Sequence, residues 1–183
     1  ITYEIIQNNL DKPWDWVSLS ENPNIQWDII KNNLDKPWYW YRLSRHPNIT
    51  WYIIQNNPDI PWEWEWISAN PNITWDIVKN NYDKPWNWYL ISQNSNITWE
   101  IIKDNLDQPW QWSGVVINKN ITWDIFKNNR DIIQLEPIVF EYYNELTNFQ
   151  KNPNMCWDII KDNNNIQNWD WTKISKHPNI TWD

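Results

Sequence analysis

The sequence predicts an all-α fold, an elongated α-solenoid built from 24-residue helix-turn-helix repeats. Three observations predict it. Three tryptophans return every 24 residues over most of the chain, each copy carries two helix-start signatures, and the 183 residues include a single glycine, Gly114. Self-similarity over many copies indicates a tandem-repeat architecture in which each unit buries its face against its neighbours.

The tryptophans fall into three columns of the repeat. One column opens the unit, and the other two form a Pro-Trp-x-Trp pair in its second half. Residues two apart on a helix point to roughly opposite sides, so both members of a pair cannot face one core stripe. We expect most of the ladder to pack structurally, with one column free to line a groove. The opening column is Trp27, Trp51, Trp75, Trp99 and Trp123, and the pairs are Trp14/Trp16, Trp38/Trp40, Trp62/Trp64, Trp86/Trp88 and Trp110/Trp112.

The first half of each repeat predicts a short helix. A Thr column stands at the N-cap position, before Trp, an acidic residue in most copies and two apolar residues. An unvarying Asn follows the last turn, and because Asn tolerates positive φ, we expect it to close the helix without glycine. The Thr column is Thr50, Thr74, Thr98 and Thr122, and the Asn column is Asn9, Asn33, Asn57, Asn81, Asn105 and Asn129.

The second half opens at an unvarying Asp, with Pro two residues later in five of six copies. Asp as N-cap with Pro in the first turn is a common helix start. We therefore expect this column to cap the second helix, and Asp59→Ala to cost about 0.5–2 kcal/mol. This helix would carry both paired tryptophans and stop before Asn-Pro. The column is Asp11, Asp35, Asp59, Asp83, Asp107 and Asp131.

Each predicted helix is about 8 residues, or about 12 Å, long. Such a helix is unstable alone, so stacking must supply the stability. About seven repeats at about 10 Å per helix layer would give a rod or shallow superhelix about 70 Å long.

A β-solenoid is the alternative architecture. The segment 25–29 alternates with period two, as does each Trp-x-Trp pair, and Asn columns can form ladders. Adjacent apolar pairs such as Ile29-Ile30, the capping signatures and the near absence of glycine for tight corners favour helices instead.

One continuous solenoid is expected, with regular repeats over 1–130, an irregular insert with a longer helix over 131–152, and resumed repeats over 153–183. Because the chain begins and ends at repeat boundaries without polar caps, we expect a fragment or a member of a longer assembly. Within the insert, Phe140 and Tyr143 fall off the main apolar stripe of the helix. We predict a partner-binding surface there, formed by Ile138, Val139, Phe140 and Tyr143.

Composition argues against several functions. The net charge is −8 and basic residues are scattered, which disfavours nucleic acid or an anionic membrane as partner. The sequence contains no metal-ligand spacing, Cys/His pair or phosphate-binding loop, so we expect no enzyme activity, no catalytic residues, no metal and no cofactor. A single cysteine, Cys156, fits a reducing compartment, and no signal-peptide pattern opens the chain. Asn-x-Thr triplets recur, and we expect their Asn and Thr to serve turns and caps rather than glycans.

The segment 71–88, P-N-I-T-W-D-I-V-K-N-N-Y-D-K-P-W-N-W, resembles the tandem repeats of uncharacterised proteins from mimivirus-like giant DNA viruses of amoebae. The resemblance covers nearly the whole chain except 130–152. It implies a viral protein located in the host cytoplasm or in the virion, and it implies no functional residues.

We therefore expect a non-enzymatic scaffold that mediates protein–protein interaction or structural assembly. The alternative is an aromatic-groove module that binds glycan or peptide. Protein or a second copy is the expected partner; a glycan is possible, and nucleic acid and membrane are not expected.

Overall fold

The computed structural model describes residues 3–9, 11–133, 149–163 and 169–181, and within these ranges the regular structure is entirely α-helical. The described part of the chain contains no strand, so the all-α prediction is confirmed and the β-solenoid alternative is wrong. The chain divides into two compact units, Ile1–Leu90 and Ile91–Asp183. Helix starts recur at alternating intervals of about 11–13 residues, which gives the 24-residue period of the repeat.

The helices are short, at 4 to 6 residues each in the described ranges. Each one begins at a Trp, except the first, which begins at a Tyr. In chain order they are α1 (Tyr3–Gln7), α2 (Trp16–Glu21), α3 (Trp27–Lys31), α4 (Trp40–Ser44), α5 (Trp51–Gln55), α6 (Trp64–Ser68), α7 (Trp75–Lys79), α8 (Trp88–Gln93), α9 (Trp99–Lys103), α10 (Trp112–Val115), α11 (Trp123–Asn128), α12 (Trp157–Asp162) and α13 (Trp171–Ile174).

The first helix of the repeat is capped as predicted. Thr50 accepts a hydrogen bond at its hydroxyl oxygen from the Ile53 N–H, 3.4 Å away, and the other three Thr caps do the same. Acidic residues such as Asp76 occupy the first turn, where the helix dipole favours a negative charge.

The Asn column closes these helices through its side chain. Asn33 Nδ2 donates to the Ile29 carbonyl at 2.8 Å, which satisfies an acceptor of the last turn. The same Asn presents its own carbonyl to the indole N–H of Trp38, at 2.8 Å. The predicted closure at positive φ is wrong at Asn129, whose φ is −129°, because an amide side chain that reaches back one turn needs no left-handed residue.

The Asp column does not cap the second helix, so that prediction is wrong. The helix begins at the second Trp of each pair, five residues after the Asp, as α2 does after Asp11. The intervening Pro13 is the centre of a three-residue turn in which the Trp14 N–H donates to the Lys12 carbonyl at 2.8 Å. The fixed φ of proline suits this turn. The helix therefore begins only after the turn, at Trp16. Asp11 instead pairs with Lys12 at 2.8 Å on the surface.

The hydrophobic core runs along three apolar columns of the repeat, all almost fully buried. The first lies in the first helix, the second lies near the end of the second helix, and the third follows the Ser-x-Asn-Pro-Asn turn, before the Thr cap. Their burial supplies the stability that such short helices lack alone. The first column is Ile6, Ile30, Ile54, Val78, Ile102, Phe126 and Ile160, the second is Leu19, Leu43, Ile67, Ile91, Val115, Phe149 and Ile174, and the third is Ile25, Ile49, Ile73, Ile97, Ile121 and Met155.

Candidate functional site

Consecutive repeats are joined by a ladder of buried polar side chains, here called the repeat interface. Its first rung is a serine at the end of the second helix. Ser44 is fully buried, and its Oγ accepts a hydrogen bond from the Glu63 N–H of the next repeat at 3.0 Å. The Glu63 N–H precedes α6 and so has no intrahelical partner. The same bond recurs from Tyr39 to Ser20, Asn87 to Ser68 and Gln111 to Ser92.

The second rung is an asparagine in the Ser-x-Asn-Pro-Asn turn. Asn70 is fully buried, and its Nδ2 lies 2.9, 3.2 and 3.0 Å from the carbonyls of Ser44, His46 and Ile49 in the preceding repeat. Its Oδ1 accepts from the Asn72 N–H at 2.8 Å. Asn118 and Asn152 make the same set of contacts in the second unit.

The third rung is the asparagine that follows the proline position. Asn72 Nδ2 donates to the carbonyls of Pro47 and Ile49, at 2.7 and 3.1 Å, and Asn48 donates to those of Pro23 and Ile25. These are the Asn residues of the Asn-x-Thr triplets. A glycan on Nδ2 would leave this nitrogen a single hydrogen, so one of the two bonds of each Asn would be lost. The threonines of the triplets serve as helix caps.

Histidine replaces the second-rung Asn in two repeats, and His46 keeps one of the carbonyl contacts and the backbone N–H contact of that Asn. Its Nε2 lies 3.1 Å from the Asn22 carbonyl, and its Nδ1 lies 3.2 Å from the Asn48 backbone nitrogen. A carbonyl can only accept and a backbone N–H can only donate, so the ring is neutral and carries its proton on Nε2. In this form Nδ1 replaces the Asn Oδ1 and the Nε2–H replaces the Asn amide N–H. His177 makes the equivalent contacts with Asn152 and Asn179.

Burial holds the pKa of His46 below its ordinary value of 6.5, since desolvation disfavours the charged ring more than the bond to the Asn22 carbonyl favours it. In the unfolded chain His46 binds a proton more readily than in the folded chain. Its contribution to stability is therefore complete above the unfolded pKa, near pH 6.5, and is lost as the pH falls through the window below it.

We expect His46→Asn to flatten the pH dependence of the free energy of unfolding between pH 7 and about pH 5, because the equivalent Asn70 makes the same bonds without a titrating group. Urea unfolding at a series of pH values measures this. An identical pH slope in wild type and variant would contradict the assignment of the neutral ring.

The first unit carries an ordered row of indole rings between repeats. The second Trp of each pair meets the first Trp of the next pair edge to face: Trp16 and Trp38 lie 5.0 Å apart at 89°, and Trp64 and Trp86 lie 5.3 Å apart at 85°. The opening column joins the same row, since Trp51 lies 5.8 Å from Trp86. The tilted and edge-to-face arrangements are those that aromatic quadrupoles prefer. The Trp ladder is thus chiefly packing, with partly exposed ring faces at its surface.

One cleft of about 480 Å³ opens on this row. Its walls include the rings of Trp51 and Trp64, which lie 6.2 Å apart at 68°, together with Pro58. Asn81 and Lys84 of the next repeat add polar groups to the lining. The volume falls in the range usual for ligand pockets, about 300–1,000 Å³.

The predicted partner-binding residues Ile138, Val139, Phe140 and Tyr143 lie outside the described residues, so their surface stays a prediction. The nearest described apolar residues on either side, Ile133 and Phe149, are buried. Phe149 is fully buried and its ring centroid lies 5.1 Å from those of both Trp123 and Phe126.

The residues that follow Phe149 rebuild the repeat interface inside the range predicted as insert. Gln150 Oε1 accepts from the Asp170 N–H at 3.0 Å, the role that Ser44 plays elsewhere. Asn152 supplies the second rung. Sequence reasoning missed Gln150 because the column holds serine at Ser20, Ser44, Ser68 and Ser92; the signal was its place two residues before Asn-Pro-Asn.

Within the described ranges, no group of three or more His, Cys, Asp or Glu side chains could hold a metal ion. None of the helices described there is long and apolar enough to cross a membrane. The chain matches no known protein-family model, no curated protein and no solved structure.

Proposed function

We propose that this chain is a non-enzymatic repeat scaffold that mediates protein–protein interaction or structural assembly. The observation that carries the proposal is a division of labour within the repeat. The recurrent Ser and Asn side chains bond the backbone within and between repeats, and buried apolar columns form the core, whereas several residues that differ between copies lie on the surface.

Several of these varying residues are large and apolar. Leu34 and Tyr52 in the first unit are 46% and 74% exposed, and Leu106 in the second unit is 47% exposed. Exposed aromatic and aliphatic side chains on a repeat scaffold are typical of protein-recognition surfaces. The position of Leu34 and Leu106 holds Pro58 and Tyr82 in other repeats, so the repeats do not all offer a partner the same contacts.

We further propose that the protein acts in the host cytoplasm or in the virion of an amoeba-infecting giant virus. The likeness of segment 71–88 to such viral repeats supports this, as does the single cysteine.

Capture experiments from infected amoebal lysate test the scaffold proposal. The triple variant Leu34→Ser, Tyr52→Ser, Leu106→Ser should lose proteins that the wild-type chain retains, because it removes exposed apolar contacts and no repeat-interface bond. Quantitative mass spectrometry of the captured proteins is the measurement.

A matched control replaces exposed polar neighbours outside the cleft, with Asp35→Ser, Asn56→Ser and Asp107→Ser, and should capture the wild-type set. Far-UV circular dichroism checks that both triple variants stay folded. A captured set that is the same for the apolar variant as for the control would contradict a role of these positions in binding.

The second candidate, an aromatic-groove module that binds glycan or peptide, is favoured by the cleft between Trp51 and Trp64.

A further inference from the structure

One position of the repeat holds a different side chain in several copies and lies beside the tryptophan row. It is the residue after the unvarying Asn, and it varies more than its neighbours. Its occupants are Leu10, Leu34, Pro58, Tyr82, Leu106 and Arg130.

In the repeat that contains Tyr82, the Tyr ring covers a tryptophan pair. Trp75 and Trp88 lie 6.5 Å apart at 66°. The Tyr82 ring stacks on Trp88 with centroids 6.4 Å apart at 21°, and meets Trp75 at 6.2 Å and 69°. The Tyr82 ring therefore contacts both indoles: it makes a parallel offset contact with Trp88 and an edge contact with Trp75.

The preceding repeat has the same tryptophan pair without the ring. Trp51 and Trp64 lie 6.2 Å apart at 68°, close to the geometry of the covered pair. Pro58 replaces the tyrosine, and its small side chain leaves the cleft of about 480 Å³ at this place. Ile60 stands where three other repeats have a lysine, at Lys12, Lys36 and Lys84, and so adds an apolar wall.

We propose that the cleft lined by Trp51 and Trp64 binds an aromatic side chain, tyrosine above all, presented by a partner polypeptide. The Tyr82 ring shows which chemical group packs against both members of an indole pair held at this angle. A pyranose ring could stack on one indole face, but it has no π-system to complete the edge contact with the other.

The rest of the cleft suits a peptide that carries such a ring. Its volume exceeds that of a single aromatic side chain, so it has room for flanking backbone. Gln55 and Lys84 in its lining supply an amide and an ammonium group that can donate to peptide carbonyls, the ammonium having protons beyond the one that it donates to Asp83 at 2.7 Å. The inference rests on the proposed scaffold function, since it names the class of partner for one site of that scaffold.

Two reciprocal substitutions test the proposal, read by the indole N–H signals of Trp51 and Trp64 in ¹H–¹⁵N NMR spectra. The probe is the blocked tripeptide Gly-Tyr-Gly, with Gly-Leu-Gly and cellotriose as comparison ligands. We expect the tyrosyl peptide at millimolar concentration to shift both signals of the wild-type protein and the other two ligands to leave them at least tenfold less affected.

Pro58→Tyr fills the cleft from within, as Tyr82 does in the next repeat, and should abolish the shifts. Pro58→Leu introduces the residue found at positions 34 and 106 and should also block the site. It replaces Pro58→Tyr as the test if the Tyr variant folds poorly. Tyr82→Pro should open a second site, so that the tyrosyl peptide then also shifts Trp75 and Trp88.

The proposal is overturned if the tyrosyl peptide binds the Pro58→Tyr and wild-type proteins equally, or if cellotriose alone shifts the two signals. Concentration-dependent shifts without any peptide would assign the cleft to a second copy of the chain and would also overturn it. Failure here leaves the capture experiment intact, since that experiment changes other residues; failure of the capture experiment leaves tyrosyl-peptide binding intact.

Discussion

Trp86→Ala is expected to lower the free energy of unfolding by about 3–5 kcal/mol, the cost typical of removing a large buried aromatic ring. Trp86 is buried, and its ring contacts those of Trp64 and Trp51 in the preceding repeat. Its indole N–H donates to the Asn81 carbonyl at 2.8 Å. The substitution removes packing between two repeats and one hydrogen bond within the repeat. Urea unfolding followed by far-UV circular dichroism measures the loss.

Two control variants separate the contribution of ring packing from that of the indole N–H and from that of an exposed ring. Trp86→Phe keeps an aromatic ring and removes the indole N–H, so it should be less damaging than alanine. Tyr52→Ala removes an aromatic ring from an exposed position and should leave the unfolding midpoint unchanged. A Trp86→Ala protein that unfolds at the wild-type urea concentration would contradict the packing role of the tryptophan row.

Asn70→Leu is expected to cost about 3 kcal/mol, because it leaves buried polar groups without partners. The side chain has three carbonyls of the preceding repeat within hydrogen-bond distance, and it accepts from the Asn72 N–H. Leucine has a similar volume but can make none of these bonds. The midpoint and slope of urea unfolding are the measurements.

Asn70→His should restore part of the lost stability above pH 7, since His46 makes one of the carbonyl contacts and the backbone N–H contact one repeat earlier. Asn56→Ala is the matched control: its amide donates to Tyr52 within one helix on the exposed surface, so its loss should be small. If Asn70→Leu and Asn56→Ala have equal effects, the second rung does not hold the repeats together.

The local features of the fold could be predicted from the sequence. The Thr caps, the acidic first turns and the helix stops before Asn-Pro all depend on residues within one turn of each other, and the structure confirms them. These local signals recur every 24 residues, and this recurrence predicted a helical repeat.

Features that depend on contacts between repeats could not be read from one repeat. The Asp-x-Pro pattern matched a helix start, yet the Pro13 turn and the bond from the Trp14 indole to the Asn9 carbonyl hold the chain extended until Trp16. Likewise Ser44 bonds a backbone N–H 19 residues away, a pairing that no local propensity signals.

The candidate site was predictable only in part. A groove along one Trp column was an alternative in the sequence analysis, but its place depends on Pro58, where Leu34 or Tyr82 stands in other repeats. The proline at position 58 is visible in the sequence. Its effect on the cleft could be inferred only from the structure, in which Tyr82 stacks on Trp88 in the next repeat. The predicted surface at Phe140 and Tyr143 lies outside the described residues and stays a prediction.

Hydrogen exchange at the Glu63 amide shows whether the recurrent polar residues join one repeat to the next. This N–H precedes α6 and donates to Ser44 Oγ in the preceding repeat at 3.0 Å. We expect slow exchange in the native protein and faster exchange at Glu63 in Ser44→Ala, with the Gln111 amide, bound to Ser92, unchanged. A Glu63 amide that exchanges as fast as an exposed loop amide, or that does not respond to Ser44→Ala, would contradict this role of the polar residues.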